Sequence, residues 1–254
     1  MSSQALARLS SKIAGKTVCL LGQGPTVGEI ELHLHRFSDQ VVWASQTFFW
    51  AVEPIIENGL GRRFDLVYQS SPQLIRDLTC MGKFIEFLAR PDDNLLLTTT
   101  GAIGYWDEQS SQLRTNYPGK IIIGRVEPGS PNPPEAIEIA EMAGMFFSFV
   151  FMILMLMKGG ASNILLFGFD GGRPGGQQQG WYWGKPDDYF GWWGSHHNYG
   201  SEVTMTNCYW TQLVAHAGLS LERCPVINVT SWSQLECFPK IGYGELEEFL
   251  RRIS

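Results

Sequence analysis

Short aliphatic runs recur along this chain, each followed by a polar turn and then a stretch with helical apolar spacing, and this alternation restricts the fold more than any other feature. The runs are Lys16 to Leu21 (KTVCLL), Val41 to Ala44 (VVWA), Asp65 to Gln69 (DLVYQ), Asn94 to Thr99 (NLLLTT), Lys120 to Gly124 (KIIIG), Asn163 to Phe169 (NILLFGF) and Val226 to Val229. They are nearly continuous in apolar character, as strands covered on both faces must be. Helical spacing follows in VGEIELHLHRF, in SQTFFWAVEPIIENG, in the stretch opened by Ser-Ser-Pro (SSPQLIRDLTCMGKFIEFLAR) and in the terminal GELEEFLRRIS. Ser-Ser-Pro suits a helix start, because serine caps the first free N–H groups and proline has none to lose. The pattern predicts an α/β fold: a Rossmann-like, mostly parallel sheet with helices on both faces.

Composition narrows the class further. A chain of 254 residues, 44% hydrophobic and 17% charged, is long enough to bury roughly 70% of its unfolded surface without metals or cross-links. A net charge of −6 disfavours nucleic acid as a partner, since that binding depends on clustered Lys and Arg. The five cysteines (Cys19, Cys80, Cys208, Cys224, Cys237) form no CxxC pair, which fits reduced thiols and a cytoplasmic location. Ala143 to Met157 (AGMFFSFVFMILMLM) is uncharged but shorter than the roughly 20 residues a membrane span needs. It is expected as a buried central helix, with no transmembrane segment and at most peripheral membrane contact.

One segment breaks the alternation. Residues 171–200 are rich in glycine, tryptophan and tyrosine and almost lack aliphatic side chains, so they cannot build a core. They are read as a lid inserted into a single nucleotide-binding domain made of 1–170 and 201–254. The lid follows the most strongly apolar strand, so it belongs over the carboxyl edge of the sheet, where α/β proteins bind ligands.

Candidate chemistry gathers at the same edge. Gly22-Gln23-Gly24-Pro25-Thr26 follows the first strand, where a tight glycine turn can aim backbone N–H groups at an anion. Asp170 directly follows NILLFGF, placed to accept hydrogen bonds from ribose hydroxyls, and Arg173 could meet a phosphate. His196 and His197 lie in the lid, and an imidazole there suits proton abstraction from a hydroxyl. Trp181, Tyr182, Trp183, Tyr189, Trp192 and Trp193 can stack on a sugar or base. His33, His35 and His216 carry no functional weight. Neither a phosphate-binding GxxxxGK[ST] nor a GxSxG nucleophile turn occurs, and no ligand spacing for a metal is present.

The order of these motifs resembles the bacterial sialyltransferases of glycosyltransferase family 42, and more distantly motility-accessory glycosyltransferases and hydroxymethylpterin diphosphokinases. Leu20 to Val27 (LLGQGPTV) is similar to the family's GNGPSL turn and Trp43 to Phe48 (WASQTF) to its CNQF segment. Leu66 to Leu74 (LVYQSSPQL) is similar to VFYNPSL, Ala143 onward to the SGVYM helix, and Ile164 to Gly171 (ILLFGFDG) to IYLSGIDF. A lid histidine and VINVTSWSQLECFPKI complete the order, over about residues 16 to 241. Gln23, Ser45 and Ala143 stand where the family has asparagine, asparagine and serine.

The resemblance implies a metal-independent, inverting transferase that needs no cofactor and moves a nonulosonic acid from a CMP-activated donor to a glycan hydroxyl. It implies that Gly22, Gln23, Gly24, Pro25 and Thr26 form the phosphate turn. Gly168 and Asp170, with Gly171 and Arg173 beyond them, contact the nucleotide, and Ser45, Gln46, Ser70, Ser71 and Gly144 line the donor site. His197, five residues before Glu202, is the preferred base, with His196 as its neighbour, and Tyr182 holds the departing phosphate. The partners are then a nucleotide-sugar donor and a glycan acceptor, with an oligomer compatible. Two alternatives are a diphosphate-transferring enzyme of the pterin kinase type, needing more carboxylates at strand ends for magnesium, and a non-catalytic nucleotide- or glycan-binding protein of the same fold.

Overall fold

The computed structural model describes residues 4–46, 48–69, 78–99, 107–125, 136–138, 148–170, 199–230 and 233–253. The expected α/β architecture is present, as a sheet of eight strands among the described residues. In chain order they are β1 (Thr17–Leu21), β2 (Val42–Ser45), β3 (Leu66–Gln69), β4 (Leu95–Thr99), β5 (Ile121–Arg125), β6 (Ala136–Glu138), β7 (Asn163–Phe167) and β8 (Val226–Asn228). Their spatial order is β6-β5-β4-β3-β2-β1-β7-β8, and every neighbouring pair is parallel.

Two hydrophobic clusters sandwich the sheet. Strand residues alternate between them: Val18, Leu20, Val42, Ala44, Ile164 and Leu166 face one cluster, and Cys19, Leu21, Trp43, Leu165 and Phe167 face the other. The first cluster is completed by helices α1 (Gln4–Ile13), α5 (Ser148–Lys158) and α6 (Tyr199–His216). The second is completed by a 3₁₀ helix (Pro25–Arg36), α2 (Phe49–Leu60), α3 (Leu78–Leu88), α4 (Asp107–Asn116) and α7 (Tyr243–Ile253). The connections that walk from β1 out to β5 therefore share one face. The helices α5 and α6, which flank β7, lie on the other, as right-handed crossovers require when the direction of travel reverses. That reversal falls between β1 and β7, the topological switch point.

The apolar stretch expected as a central helix is one over its described part. Every α5 residue from Phe149 to Met157 is buried, because the sheet, α1 and α6 leave no face open to water. No helix of the described residues is long and apolar enough to cross a membrane.

Four elements depart from the expectation. The segment after the first glycine turn is a 3₁₀ helix, in which Val27, Ile30 and His33 recur at threes and His33 stacks on Tyr243 at 4.5 Å between ring centroids. The N-terminal α1 was not anticipated, although Ala5, Leu9 and Ile13 form a buried stripe at helical spacing. Helix α4 was not anticipated either, since Leu113 is its single aliphatic residue. Strand β6 has three residues and exists by pairing with β5.

Candidate functional site

Parallel strands end together, so the carboxyl ends of β1 and β7 bring two turns side by side at the switch point, although 146 residues separate Gly24 from Asp170 along the chain. The first turn runs from Gly22 to Thr26 and the second from Gly168 to Asp170. Backbone bonds lock them: Gly22 N donates to Phe167 O at 2.7 Å and Gly24 N to Gly168 O at 2.9 Å. Thr26 holds the Asp170 carboxylate with both its groups, the backbone N donating to Oδ2 at 3.3 Å and Oγ1 donating to Oδ1. Thr230, just beyond β8, places its Oγ1 at 3.5 Å from that of Thr26.

This contact explains the glycines. A Cβ on Gly22 would lie 2.6 Å from Gly168 O, and one on Gly24 would strike the Asp170 carboxylate and sit 2.6 Å from Gly168 O. Gly168 adopts φ +70°, a left-handed conformation that favours glycine, with Val27 against the place a side chain would occupy. The turns are glycine-rich because they press on each other. Three of the N–H groups expected to face an anion, those of Gly22, Gly24 and Thr26, are engaged within the protein. What the first turn presents outward is the half-buried Gly24 and the exposed Pro25, while Gln23 and Thr26 are buried.

Asp170 is 3% exposed and has no cationic partner among the described residues. Burial raises its pKa above the usual carboxylate value; the two bonds from Thr26 oppose the shift and the charge of Glu29 adds to it. Its carboxylate ties the β1 turn to the end of β7 and is closed off from solvent.

The rest of the rim is also polar. Ser45, at the end of β2, is buried and donates from Oγ to Leu21 O at 3.0 Å, so its hydroxyl braces β1. Gln46 follows it, half-buried at the rim. Beyond β8, Asn228 Nδ2 and Ser233 Oγ both donate to Phe169 O, at 3.1 and 2.6 Å, and Gln234 N donates to Asp170 O at 3.0 Å. Asn228, Thr230, Ser233 and Gln234 were not singled out from the sequence. The available signal was a polar run directly after the last strand, in VINVTSWSQ.

The structure thus brings together Gly22, Gln23, Gly24, Pro25, Thr26, Ser45, Gln46, Gly168 and Asp170. His196, His197, Tyr182, Ser70, Ser71, Gly144, Gly171 and Arg173 lie outside the described residues, as does the lid read over 171–200 except for Tyr199 and Gly200, which open α6. Among the described residues no three His, Cys, Asp or Glu side chains gather as a metal site. His33 and His35 lie on the 3₁₀ helix and His216 ends α6.

No protein-family model matches this chain, and no curated protein or solved structure is significantly similar to it.

Proposed function

We propose that this protein is a nucleotide-sugar-dependent glycosyltransferase whose donor sits above the β1 and β7 turns. The observation that carries this reading is that the two glycine-containing turns meet at the carboxyl ends of β1 and β7, where the strand order reverses, because open α/β sheets bind ligands beyond the strand ends at such a switch point. The order of sequence motifs supplies the rest: a CMP-linked nonulosonic acid as donor and a glycan hydroxyl as acceptor. In the reaction the acceptor oxygen bonds the anomeric carbon as that carbon's bond to the phosphate oxygen breaks. The nucleotide leaves with the electron pair, and His197 takes the acceptor proton. Asp170, Thr26 and Ser45 shape the floor on which the donor rests, so they act on its position and not on its bonds.

Two measurements test the reading. CMP should raise the melting temperature without magnesium, and more than a purine nucleotide or a pterin does. Hydrolysis of a CMP-activated nonulosonic acid should fall by about a hundredfold or more in His197→Ala, the usual cost of losing a general base. A pterin that stabilises only with magnesium would move the protein to diphosphate transfer, and equal turnover in wild type, His197→Ala and His196→Ala would remove the proposed base.

A further inference from the structure

The joint between the 3₁₀ helix and α7 is closely packed, yet it leaves polar atoms without partners. At its centre the rings of His33 and Tyr243 stack, 4.5 Å apart between centroids and 14° from parallel. Arg36, one turn further along the 3₁₀ helix, donates from Nη1 to Tyr243 O at 3.1 Å. Three other polar atoms of these residues, His33 Nδ1, Arg36 Nε and the Tyr243 hydroxyl, are closed off from water with no hydrogen-bond partner among the described residues. Folded proteins leave few such atoms, so a contact that gathers three of them is weak for its size. Contacts of that kind belong to the part of a molecule that opens before the core does.

The charges around His33 do not favour a proton on it. Burial, and after it the charges of Arg36 and His35, lower its pKa. Glu29 and Glu31 of the same helix are exposed, and no carboxylate forms an ion pair with His33 among the described residues. The carboxylates of the elements packed around it are engaged elsewhere. On α7, Glu245 accepts from Gly242 N, Glu247 pairs with Arg251 and Glu248 with Arg252. On α2, Glu53 pairs with Arg90 and Glu57 with Arg63, and beyond β7 Asp170 is held by Thr26. Tyr243 stays a neutral phenol, because burial and the charges of Glu29 and Asp170 raise its pKa. A neutral imidazole has one ring nitrogen without a hydrogen, which can face carbon at small cost. An imidazolium has a hydrogen on both, so its Nδ1–H points into the closed joint with no acceptor, one turn from the Arg36 guanidinium. The face of the Tyr243 ring attracts a cation, which opposes this loss but returns no acceptor to Nδ1.

We infer that the stack of His33 on Tyr243 is an acid-sensitive latch, which holds α7 against the 3₁₀ helix while the imidazole is neutral and releases the helix when the ring takes up a proton. Release withdraws Leu246 and Leu250 from the second hydrophobic cluster and takes the Tyr243 ring away from Phe167, 6.2 Å from it at the end of β7. An eleven-residue helix is marginal by itself in water, so the α7 amides lose protection once it undocks. The inference stands apart from the nucleotide reading, because it needs no ligand.

Amide hydrogen exchange on the full chain tests it, with rates corrected for the intrinsic effect of pH on unstructured peptides. Between pH 7.5 and pH 5.5 the protection of α7 should fall by about two- to tenfold, tenfold being the ceiling that linkage sets one unit below the ordinary histidine value of 6.5. Protection in β1 and β7 should not change, since the opening is local. His33→Gln, which keeps a neutral polar side chain, should abolish the response of α7, and His35→Gln, on the exposed side of the same helix, should keep it. In the wild type, the pH at which α7 loosens should coincide with the titration of the His33 ring followed by NMR, a comparison that needs no variant to fold. Protection of α7 that does not vary with pH, an equal loss in β1 and β7, a response that persists in His33→Gln, or a His33 titration displaced from the loosening would each overturn the latch.

Discussion

The two rims of the sheet are built on opposite principles. At the amino edge, charges meet partners inside the protein. Arg90 and Glu53 form a fork of two 2.7 Å bonds with both side chains about nine-tenths buried, Glu53 also accepts from Phe64 N, and the guanidinium lies 5.0 Å from the Phe87 ring. Lys120, just before β5, donates to Leu88 O, Asp92 O and Asn94 Oδ1 at 2.8 to 3.0 Å and so closes the carbonyl end of α3. At the carboxyl edge, Asp170 has hydroxyl and amide partners but no counter-ion among the described residues, and Asn228 Oδ1 and Gln234 Nε2 are buried without hydrogen-bond partners. Charges closed by a partner in this way contribute rigidity, whereas a buried carboxylate held only by a hydroxyl and an amide leaves the carboxyl edge less tightly tied.

If that contrast holds, the largest single effect belongs to the amino edge. Arg90→Ala leaves Glu53 buried and unpaired and should cost about 3–5 kcal/mol in urea unfolding, while the double change Arg90→Met with Glu53→Leu should cost far less. A small loss in the single variant would mean that water reaches the pair.

Next comes the contact between the turns. Gly22→Ala drives a methyl into the Gly168 carbonyl and should cost about 2–3 kcal/mol with CMP binding lost as well. Gly82→Ala, in helix α3 with nothing within 4 Å of the added methyl, should instead gain about 0.5–1 kcal/mol. Equal tolerance at both positions would show that the turns do not press on each other.

The third test separates charge from shape in Asp170. Because its folded pKa is raised above the unfolded value, the ionised form costs stability at neutral pH. That cost is relieved as pH falls through the folded pKa, and the relief is complete below the unfolded value near 3.8. Asp170→Asn should therefore gain ground on the wild type at pH 7 relative to pH 4, by about 1 kcal/mol or less once the two Thr26 bonds are counted. A gap that widens the other way would mean that Thr26 outweighs burial.

The smallest effect is expected at His33. Burial, with the charges of Arg36 and His35, lowers its pKa, so protonation favours the unfolded chain and stability is lost as pH falls from the unfolded value of 6.5 toward the folded one. His33→Gln should flatten this acid loss in thermal melts between pH 7 and 5 while leaving CMP stabilisation intact. An unchanged slope would assign the acid sensitivity to other groups.

Seven of the eight strands were legible because a strand buried on both faces must be apolar throughout. The short runs KTVCLL, VVWA and NILLFGF could hardly serve as anything else once polar turns bounded them. Elements whose reason for existing is a neighbour were not legible. Helix α4 has too few apolar residues to show a period, and three-residue β6 is a strand only where β5 offers its edge. The candidate site divided the same way. Gly22, Gly24 and Asp170 stood out through their places after strands, but the sequence suggested turn amides open to an anion, whereas the structure engages them across the β1–β7 contact.

Local chemistry in the chain was thus enough to determine seven of the strands, the buried helix α5 and the edge at which polar residues collect, because periodicity and turn residues act over a few positions. Tertiary structure alone decided that Gly24 meets Gly168, that Thr26 holds Asp170, and that His33 stacks on Tyr243. These pairings join segments brought together only by the sheet order and the exchange of faces at β1 and β7, which depend on burying both sides of the sheet at once.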